Sequence, residues 1–398
     1  MPYYIGDVIK DSRKLIARTP EKFEETGIRV RLNTRVEGIE AERGEVLLAK
    51  GERLAYDVLV MGTGAEATLP DMPGTRQDGV FTLKNLRDGI NIKEYIKESG
   101  CRRAVIVGAG FIAMEMSEAL TTIGLETSIV YRGELPVKKW DPVFSGMVLE
   151  ELTRNGVSFI SHNSPIAIEK HSTGLCLVTG AGTVQADIII FALGVRPNIR
   201  LAREAGLAIG ESGAIKVDPS QHTSREEIFS VGDCCESYHR VSKQWTHIPL
   251  GDMANKQGRV AGRTIAGYPM IFPGVVGAQS FKVFGLEVAM TGIDEKEAQK
   301  SGYTPESTII WGSPVARSMN EGQKLGLKLI ADRGSGMLLG AQAAGHSGAV
   351  SRINILSACL WSGMGLDEIG YMDLAYSPPF SGAWDMIHTA AQILGKKL

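Results

Sequence analysis

Three small residues at fixed spacing, Gly108, Gly110 and Ala113, lie in the stretch AVIVGAGFIAMEMSEAL, between a short apolar run and a helical pattern. Gly108 permits a tight turn from strand to helix, Gly110 lets the backbone approach a pyrophosphate, and Ala113 allows the helix to pack closely. The start of such a helix offers free N–H groups and the positive end of its dipole to an anion. The spacing therefore predicts a dinucleotide site.

The residues that would recognise the ribose of this dinucleotide are Tyr131 and Arg132, at the end of the next predicted strand. An acidic residue in that place accepts a hydrogen bond from the ribose 2′-hydroxyl. Arg132 would instead pair with a 2′-phosphate, so the sequence favours NADPH or the use of both cofactors. In the alternative interpretation, Arg132 is a solvated surface residue and the protein uses NADH.

A repeating pattern of strands and helices must position the glycine loop. Apolar residues predict a strand over 104–107 before the loop, a helix over 111–123 after it, and a strand over 126–131. A helix over 141–155 and a strand over 157–161 complete a βαβ unit with parallel strands. The other predicted elements are a β-meander over 28–59, a helix over 86–99, a hairpin over 166–185, a buried strand in ADIIIFALGVRPN, a helix in NKQGRVAGRTIAG, three β-rich runs after residue 271 and a helix over 350–363.

The composition of the 398-residue chain is that of a globular protein, with 43% hydrophobic and 22% charged residues. The formal net charge of −2 includes no basic excess, so we expect neither nucleic acid nor a membrane surface as a partner. The sequence contains no apolar run of about 18 residues and no charged-then-apolar leader, and we therefore expect a cytoplasmic protein.

The five cysteines are scattered along the chain and show neither a disulfide framework nor zinc-type spacing, so we expect no structural metal. We interpret them as buried packing thiols: Cys101, Cys176, Cys234, Cys235 and Cys359. The seven histidines have no acidic partner at a useful spacing, and none is assigned a catalytic role.

Joined together, several stretches along the whole chain resemble the flavin-dependent pyridine nucleotide-disulfide oxidoreductases. They are PYYIG, RTPEKF, VLVMGTGAEATLP, VIVGAGFIAME, ALGVRPN, IFSVGDC, PLGDMANKQGRVAG and DLAYSPPFSGAWD. Within that superfamily the chain is similar to the branch of coenzyme A-disulfide reductases, NADH oxidases, NADH peroxidases and persulfide reductases. The resemblance adds Phe111, Ile112, Glu115 and Gly194 to the expected nicotinamide dinucleotide site.

The fold class that the resemblance implies is α/β, with two Rossmann-like dinucleotide-binding domains, the first N-terminally truncated, and a C-terminal α+β dimerisation domain. We expect an FAD-binding domain at 1–102 and 223–270, an NAD(P)-binding domain at 103–222 and an interface domain at 271–398. In relatives, PYYIG follows closely on a flavin-binding βαβ unit and a redox cysteine, so we expect that Met1 is an internal methionine or that the sequence is shortened. A protein that dispenses with flavin is the alternative.

The resemblance also implies which residues meet the flavin. The turn Gly62-Thr63-Gly64 is expected near its adenosine part, and Asp233 of Gly232-Asp233 near its ribityl and pyrophosphate region. Leu250 and Gly251 lie on the segment that passes the flavin ring in relatives. The alternatives are an ordinary glycine turn at Gly62–Gly64 and a helix-capping role for Asp233.

The C-terminal region has DLAYSPPFSGAWD in place of the histidine and glutamate motif of the glutathione reductase branch. In the branch that the chain resembles, a tyrosine matching Tyr376 reaches the partner's flavin and thiol site, so we expect Tyr376 to be catalytic; its alternative is an interface tyrosine that only packs. Asn255, Lys256 and Arg18 are the expected substrate-binding residues.

Taken together, these features predict a cytoplasmic homodimeric oxidoreductase with FAD and NAD(P)H as cofactors. Hydride would pass from NAD(P)H through FAD to a small disulfide or persulfide such as coenzyme A disulfide. Two alternatives stay open, an NADH oxidase that reduces oxygen and a nucleotide-binding dimer without redox turnover.

Overall fold

The computed structural model describes residues 1–172, 174–319 and 322–398. The chain divides into two compact units. Unit 1 comprises Met1–Lys10, Ala67–Gly194 and Val276–Leu398, and unit 2 comprises Asp11–Glu66 and Val195–Val275. The three-domain boundaries expected from the sequence remain a prediction.

The helices and strands are numbered in chain order. The helices are α1 (Pro2–Ile5), α2 (Pro20–Glu24), α3 (Leu86–Ser99), α4 (Phe111–Thr122), α5 (Pro142–Arg154), α6 (Arg200–Glu204), α7 (Gly251–Ile265), α8 (Glu295–Lys300), α9 (Ala349–Ser362), α10 (Leu366–Ile369) and α11 (Met386–Gly395). The strands are β1 (Val36–Glu40), β2 (Glu45–Leu48), β3 (Arg53–Ala55), β4 (Leu59–Met61), β5 (Ala65–Ala67), β6 (Val80–Thr82), β7 (Arg103–Val107), β8 (Glu126–Val130), β9 (Ser158–Ile160), β10 (Pro165–His171), β11 (Gly174–Thr179), β12 (Gly182–Ala186), β13 (Ile188–Phe191), β14 (Val195–Pro197), β15 (Ile228–Ser230), β16 (Ser237–His239), β17 (Gln244–Thr246), β18 (Gln279–Val283), β19 (Leu286–Gly292), β20 (Pro305–Gly312), β21 (Leu325–Asp332) and β22 (Leu338–Gly345).

A five-stranded sheet in unit 1 carries the glycine loop. Its strand order is β6-β13-β7-β8-β9, and all of its recorded pairs are parallel. The central strands β7 and β13 read as short continuous apolar runs and are buried, because a parallel sheet is covered on both faces. The crossover from β7 to β8 is α4, whose buried side includes Met114 and Leu120. This is the βαβ unit that the sequence predicts.

The C-terminal part of unit 1 is an antiparallel sheet in the order β18-β19-β22-β21-β20. Helix α9 packs on β19 and β22, and α11 packs on β20 and β21. Strand β22, LLGAQAAG, is buried along its whole length because its small residues let neighbouring layers approach. Val283 and Val288 of this sheet share one apolar cluster with Ile106 and Met114 of the parallel sheet region. The two sheets of unit 1 therefore have a common core.

Unit 2 is built from smaller sheets. Strands β1, β2 and β3 form an antiparallel meander, β4 and β15 form a parallel pair, and β16 and β17 form a hairpin. A core of Met61, Ile215, Ile228 and their neighbours lies under the β4–β15 pair. Helix α7 contacts the 3₁₀ turn Gly232–Cys234, which directly follows β15.

Several sequence expectations match the elements closely. The helix predicted over 86–99 is α3, and the strand–loop–helix–strand pattern is β7, α4 and β8. The structure corrects others. Residues 28–35 of the predicted meander are not in a strand. The predicted hairpin over 166–185 is part of the three-stranded antiparallel sheet β10-β11-β12, in which residue 173 lies outside the described residues. Helix α11 was not expected from the sequence pattern.

Candidate functional site

Gly108 is required by the fold itself. Its φ is 117°, and a Cβ built on it would lie 2.4 Å from the carbonyl oxygen of Ala192. The N–H of Gly108 donates to the carbonyl of Val130 at 3.0 Å. The loop is thus fixed between the carboxyl ends of β7, β8 and the segment after β13. No larger residue fits this turn without a shift of the backbone.

Gly110 is different, because the protein around it does not require glycine. No heavy atom lies within 4 Å of a Cβ built there, and its φ of −82° is open to any residue. A glycine at the start of a helix, with free space on its Cβ side, allows a ligand phosphate to approach the protein backbone closely. The geometry of the loop therefore fits the pyrophosphate of a dinucleotide.

The start of helix α4 has no side-chain cap among the described residues. Other long helices of unit 1 supply their own. Asn85 caps α3, Asp141 caps α5 and Asp385 caps α11, while Glu287 accepts the N–H groups of the first two residues of α9. Helix α7 of unit 2 likewise begins without a side-chain cap. The first N–H groups of α4 and α7 are therefore available to anions.

The residues predicted beside the glycine loop have different environments. Ala113 is fully buried, whereas the ring of Phe111 is 37% exposed and Ile112 is half-buried. Tyr131 packs against Phe159 with 6.3 Å between ring centroids, and Arg132 is exposed at the carboxyl end of β8.

Gly194 has a φ of 89° and accepts a hydrogen bond from the N–H of Thr68 at 2.9 Å. It lies in the loop that follows β13, the neighbour of β7 in the sheet. The structure thus places Gly108, Gly110, Tyr131, Arg132 and Gly194 at the carboxyl ends of adjacent parallel strands, where ligands bind in open α/β sheets.

Glu115 lies on α4, half-buried beneath the chain start. Burial raises the pKa of its carboxyl group; the α-amino group of Met1 lowers it, and Glu118 raises it further. Burial also lowers the pKa of the Met1 amino group. Helix α1 packs on α4 and brings these two groups into the same region. The sequence motif does not reveal this interaction.

The turn Gly62-Thr63-Gly64 in unit 2 is held at two points by Asn198. The hydroxyl of Thr63 donates to the carbonyl of Asn198 at 2.7 Å, and the N–H of Asn198 donates to the carbonyl of Gly64 at 2.9 Å. No heavy atom lies within 4 Å of a Cβ built on Gly62 or Gly64. The turn is held by these two hydrogen bonds and has free space on its Cβ side, which fits a cofactor lying against the backbone.

Two residues that were not predicted hold the turn at Gly232 and Asp233. The N–H of Gly232 donates to Oε1 of Gln257 at 2.8 Å, and the carbonyl of Asp233 accepts a hydrogen bond from Nε2 of His247 at 2.8 Å. Gln257 is 1% exposed and also donates to the hydroxyl of Ser237 at 3.0 Å. A glutamine on the buried face of an amphipathic helix is the one sequence signal for this contact.

Asp233 does not cap an α-helix, because the short 3₁₀ turn and the β16–β17 hairpin separate it from α7. Leu250 is the N-cap of α7, and Gly251 is its first residue. A Cβ built on Gly251 also has no heavy atom within 4 Å. The start of α7 therefore resembles the start of α4, with an uncapped helix end and an open glycine.

The structure does not place the three expected substrate-binding residues together in one site. Asn255 donates to the carbonyl of Gly251 at 2.8 Å, and Lys256 pairs with Asp252 at 3.4 Å on the exposed side of α7. Arg18 lies over the ring of Phe23, 6.0 Å from its centroid. Within the described parts of the chain, no recorded contact joins Arg18 to the other two.

The five cysteines are free thiols, and four of them are buried. Burial raises the pKa of Cys101 and of Cys359 to about 11. Burial, with the nearby Cys234, raises the pKa of Cys235 as well. Such thiols hold little thiolate near neutral pH and are poor nucleophiles. Among the residues that the structure describes, no group of three His, Cys, Asp or Glu residues is arranged to hold a metal ion.

Tyr376 is 55% exposed and lies in an irregular segment between α10 and α11. The segment is tied down at its ends, where His388 bonds the carbonyl of Met372 at 2.9 Å and Arg352 pairs with Asp385 at 2.7 Å. Three more aromatic residues are exposed on it: Tyr371, Phe380 and Trp384. An exposed aromatic group of this kind is typical of an interaction surface.

The architecture and the sequence both match known protein families. A family model described as pyridine nucleotide-disulphide oxidoreductase matches residues 5–258, and a model of the dimerisation domain of the same family matches residues 278–387. The chain belongs to the pyridine nucleotide-disulphide oxidoreductase family. Its sequence-derived fold class, with dinucleotide-binding domains and a C-terminal dimerisation domain, is confirmed.

Similar proteins cover nearly the whole chain. A protein of Pyrococcus furiosus named NAD(P)H sulfur oxidoreductase (CoA-dependent) is 34% identical over 98% of this chain and 89% of its own length. A coenzyme A disulfide reductase of Staphylococcus aureus is 28% identical, over 98% of this chain and 88% of its own length. The solved structure of an NAD-dependent persulfide reductase from A. fulgidus superposes with a TM-score of 0.95, at 33% identity, over 100% of this chain and 75% of that one.

Enzymes of this family are FAD-dependent NAD(P)H oxidoreductases, so the predicted enzyme class and the predicted cofactors, FAD and NAD(P)H, are confirmed. The roles of individual residues stay predictions. No helix in the described parts of the chain combines the length and apolar character needed to cross a bilayer.

Proposed function

We propose that this protein is an NAD(P)H oxidoreductase that works through FAD to reduce a small disulfide or persulfide such as coenzyme A disulfide. One observation carries the proposal. Among the described helices of ten or more residues, α4 and α7 are the two whose first N–H groups lack a side-chain partner, and each has a glycine with an open Cβ side at its start, Gly110 and Gly251. Two such helix starts suit two phosphate-containing cofactors.

The protein's own groups bind and orient the reactants. The loop at Gly108 and Gly110 binds the pyrophosphate of the nicotinamide dinucleotide, and Arg132 is placed to pair with a ribose phosphate. The turns at Thr63 and Asp233 hold FAD, with Gln257 and His247 fixing the second turn. When bound, FAD supplies the two-electron chemistry that joins hydride donor and acceptor. The balanced reaction is NAD(P)H + H⁺ + RSSR → NAD(P)⁺ + 2 RSH.

The C-terminal region supplies the second part of the proposal. Residues 278–387 match a dimerisation domain, and we place a homodimer interface on the aromatic segment that carries Tyr376. The exposed hydroxyl of Tyr376 then protonates the leaving thiolate of the acceptor. Lys256 and Asn255 on α7, and Arg18 apart from them, are the candidate contacts for phosphate groups of the acceptor. The cytoplasmic location predicted from the sequence stays part of the proposal.

A second candidate function is the reduction of oxygen, as in the relatives named NADH oxidase. The observation that favours it is that burial raises the pKa of Cys101, Cys235 and Cys359, which keeps these thiols protonated. Oxygen as the acceptor requires none of these thiols. The third possibility is a nucleotide-binding dimer without redox turnover.

One experiment separates the three. The purified protein is examined for flavin absorbance near ~450 nm, reduced anaerobically with NADPH or NADH, and then mixed with coenzyme A disulfide or with oxygen. Reoxidation by the disulfide with release of two thiols supports the disulfide reductase. Reoxidation by oxygen alone identifies the oxidase, and a colourless protein that binds NADPH identifies the non-redox dimer.

A further inference from the structure

The segment 131–141 joins β8 to α5 and contains the predicted ribose-binding residues Tyr131 and Arg132. One hydrogen bond ties its middle to the glycine loop. The N–H of Val137 donates to the carbonyl oxygen of Ala109 at 2.8 Å, and Ala109 stands between Gly108 and Gly110. The segment therefore supports the backbone that we assign to the pyrophosphate.

Val137 makes this bond in a conformation that its side chain disfavours. Its φ is 46°, and among the described residues at positive φ it is the only β-branched one. A residue held in this region is strained and persists only where its surroundings fix it. The side chain of Val137 is buried in the main core, and its carbonyl accepts the N–H of Trp140 at 2.9 Å. Contacts with other parts of the fold must therefore hold the segment 131–141 in this conformation.

The end of the segment is held by the C-terminal sheet. The N–H of Asp141 donates to Oε1 of Gln342 on β22 at 2.6 Å, and Nζ of Lys328 on β21 donates to Oδ2 of Asp141 at 2.7 Å. The other carboxylate oxygen of Asp141 caps α5 by accepting the N–H of Val143 at 3.0 Å. Trp140 packs edge-on against Phe281 of β18, with 5.3 Å between ring centroids.

Lys328 is the central group of this anchor. Its side chain is 6% exposed, and it pairs with Glu295 at 2.6 Å as well as with Asp141. Burial disfavours its charge, but the hydrogen bonds to Asp141 and Glu295 outweigh burial, so the pKa of Lys328 lies above its ordinary value. Removing a buried cation leaves its carboxylate partners uncompensated, which drives them apart and toward water.

We propose that Lys328 is a positioning residue for the pyridine-nucleotide site, acting through Asp141 and the segment 131–141 on the backbone of Ala109. The inference rests on the proposed function, because it takes the loop at Gly108 and Gly110 as the pyrophosphate site. It adds that the C-terminal antiparallel sheet sets the geometry of that loop. The effect falls on both NADH and NADPH, since the two share the pyrophosphate.

The test is calorimetric titration of the 398-residue protein and its Lys328→Met variant with NADH and with NADPH. Both affinities fall roughly tenfold in the variant, the size expected for coupling through a packed network. Arg352→Met is the matched control, because Arg352 is an equally buried cation paired with Asp385. It lowers thermal stability in the same way and leaves both nucleotide affinities unchanged.

Gln342→Leu is the second variant, because it removes the bond to Asp141 without leaving a charge unpaired. Hydrogen exchange supplies a readout that general loss of stability does not produce. In Lys328→Met and Gln342→Leu, the amides of 131–141 exchange faster while those of β7 keep their protection. The Arg352→Met control keeps the wild-type exchange of 131–141.

Unchanged affinities in folded Lys328→Met and Gln342→Leu overturn the proposal, and so does an equal loss in Arg352→Met. Failure of the proposed function gives a different result, because the wild-type protein then produces no heat with either nucleotide. Faster exchange over 131–141 with unchanged affinity also overturns it, since the segment would then be anchored by Lys328 without affecting the loop.

Discussion

Oε1 of Gln257 accepts a hydrogen bond of 2.8 Å from the backbone N–H of Gly232. The same side chain donates to the carbonyl of Glu236 and to the hydroxyl of Ser237. One buried amide on α7 therefore fixes both the turn assigned to the flavin and the chain that leaves it.

Gln257→Leu removes these bonds at nearly constant volume. We expect a loss of about 1–3 kcal/mol in stability from the unpaired groups, together with a purified protein that carries less flavin. The ratio of flavin absorbance to protein measures the second effect. Gln392→Leu on α11, which removes a hydrogen bond to the carbonyl of Gly370, is the matched control and keeps its flavin. Full flavin content in Gln257→Leu contradicts the assigned role of the turn.

The two glycines of the loop are expected to respond differently to alanine. Gly110→Ala adds a methyl group to open space, so the fold loses less than about 1 kcal/mol, while the nucleotide phosphate loses its close approach. Gly108→Ala forces a Cβ to within 2.4 Å of the carbonyl of Ala192 and destabilises the fold. Thermal unfolding and calorimetry with NADH measure the two effects. Normal binding of NADH to Gly110→Ala would falsify the phosphate assignment.

Arg132→Ala tests which nucleotide is used. If Arg132 pairs with the 2′-phosphate, the affinity for NADPH falls about tenfold and the affinity for NADH is unchanged, because only NADPH presents the extra anion. Lys138→Ala, which alters an exposed cation of the same segment, serves as the control. Equal affinities for NADPH before and after the change identify Arg132 as a surface residue.

Tyr376→Phe removes the hydroxyl and keeps the ring. For a proton donor, kcat with a disulfide acceptor falls about 100-fold or more, whereas sedimentation still shows the wild-type oligomer. Tyr371→Phe, on the same exposed segment, leaves kcat unchanged. If Tyr376→Phe keeps full kcat while Tyr376→Ala alters the oligomer, the tyrosine only packs.

Glu115→Gln tests the buried carboxyl on α4. Burial is the main cause of its raised pKa, so the folded state binds the proton more tightly than the unfolded state. Stability from this group is therefore fully present below the ordinary glutamate pKa and is lost as the pH rises from that value through the raised pKa of the folded state. Glu115→Gln unfolds at a higher temperature than the wild type at pH 7, and the difference shrinks toward about pH 4. The exposed Glu150→Gln shows no such trend, and a pH-independent difference contradicts the explanation.

Local patterns in the sequence predict much of the fold and part of the candidate site. The spacing of Gly108, Gly110 and Ala113 specifies a strand, a turn and a helix start, and each is set by residues within a few positions of one another. The two ends of helix α3 can be predicted from local residues in the same way. Asn85 and Asp88 form a capping box at its start, and Gly100 ends it in the left-handed conformation.

The remaining features depend on contacts between distant parts of the chain. Gln257 and Gly232 are separated by a hairpin, and Lys328 reaches Asp141 from another sheet. No local period or motif encodes such partners. His247 looks unremarkable in sequence because its partner is a backbone carbonyl, which every residue possesses. The expected grouping of Arg18 with Lys256 lacked a motif and was carried by resemblance alone.

Helices α4 and α7 begin with amide groups that no described side chain accepts, whereas α3, α5 and α11 carry their own caps. A small molecule that bonds those amides binds the native chain and not the unfolded one, and it shifts the folding equilibrium by mass action. A nucleotide cofactor bound at these helix starts would therefore increase the fraction of native protein as its concentration rises.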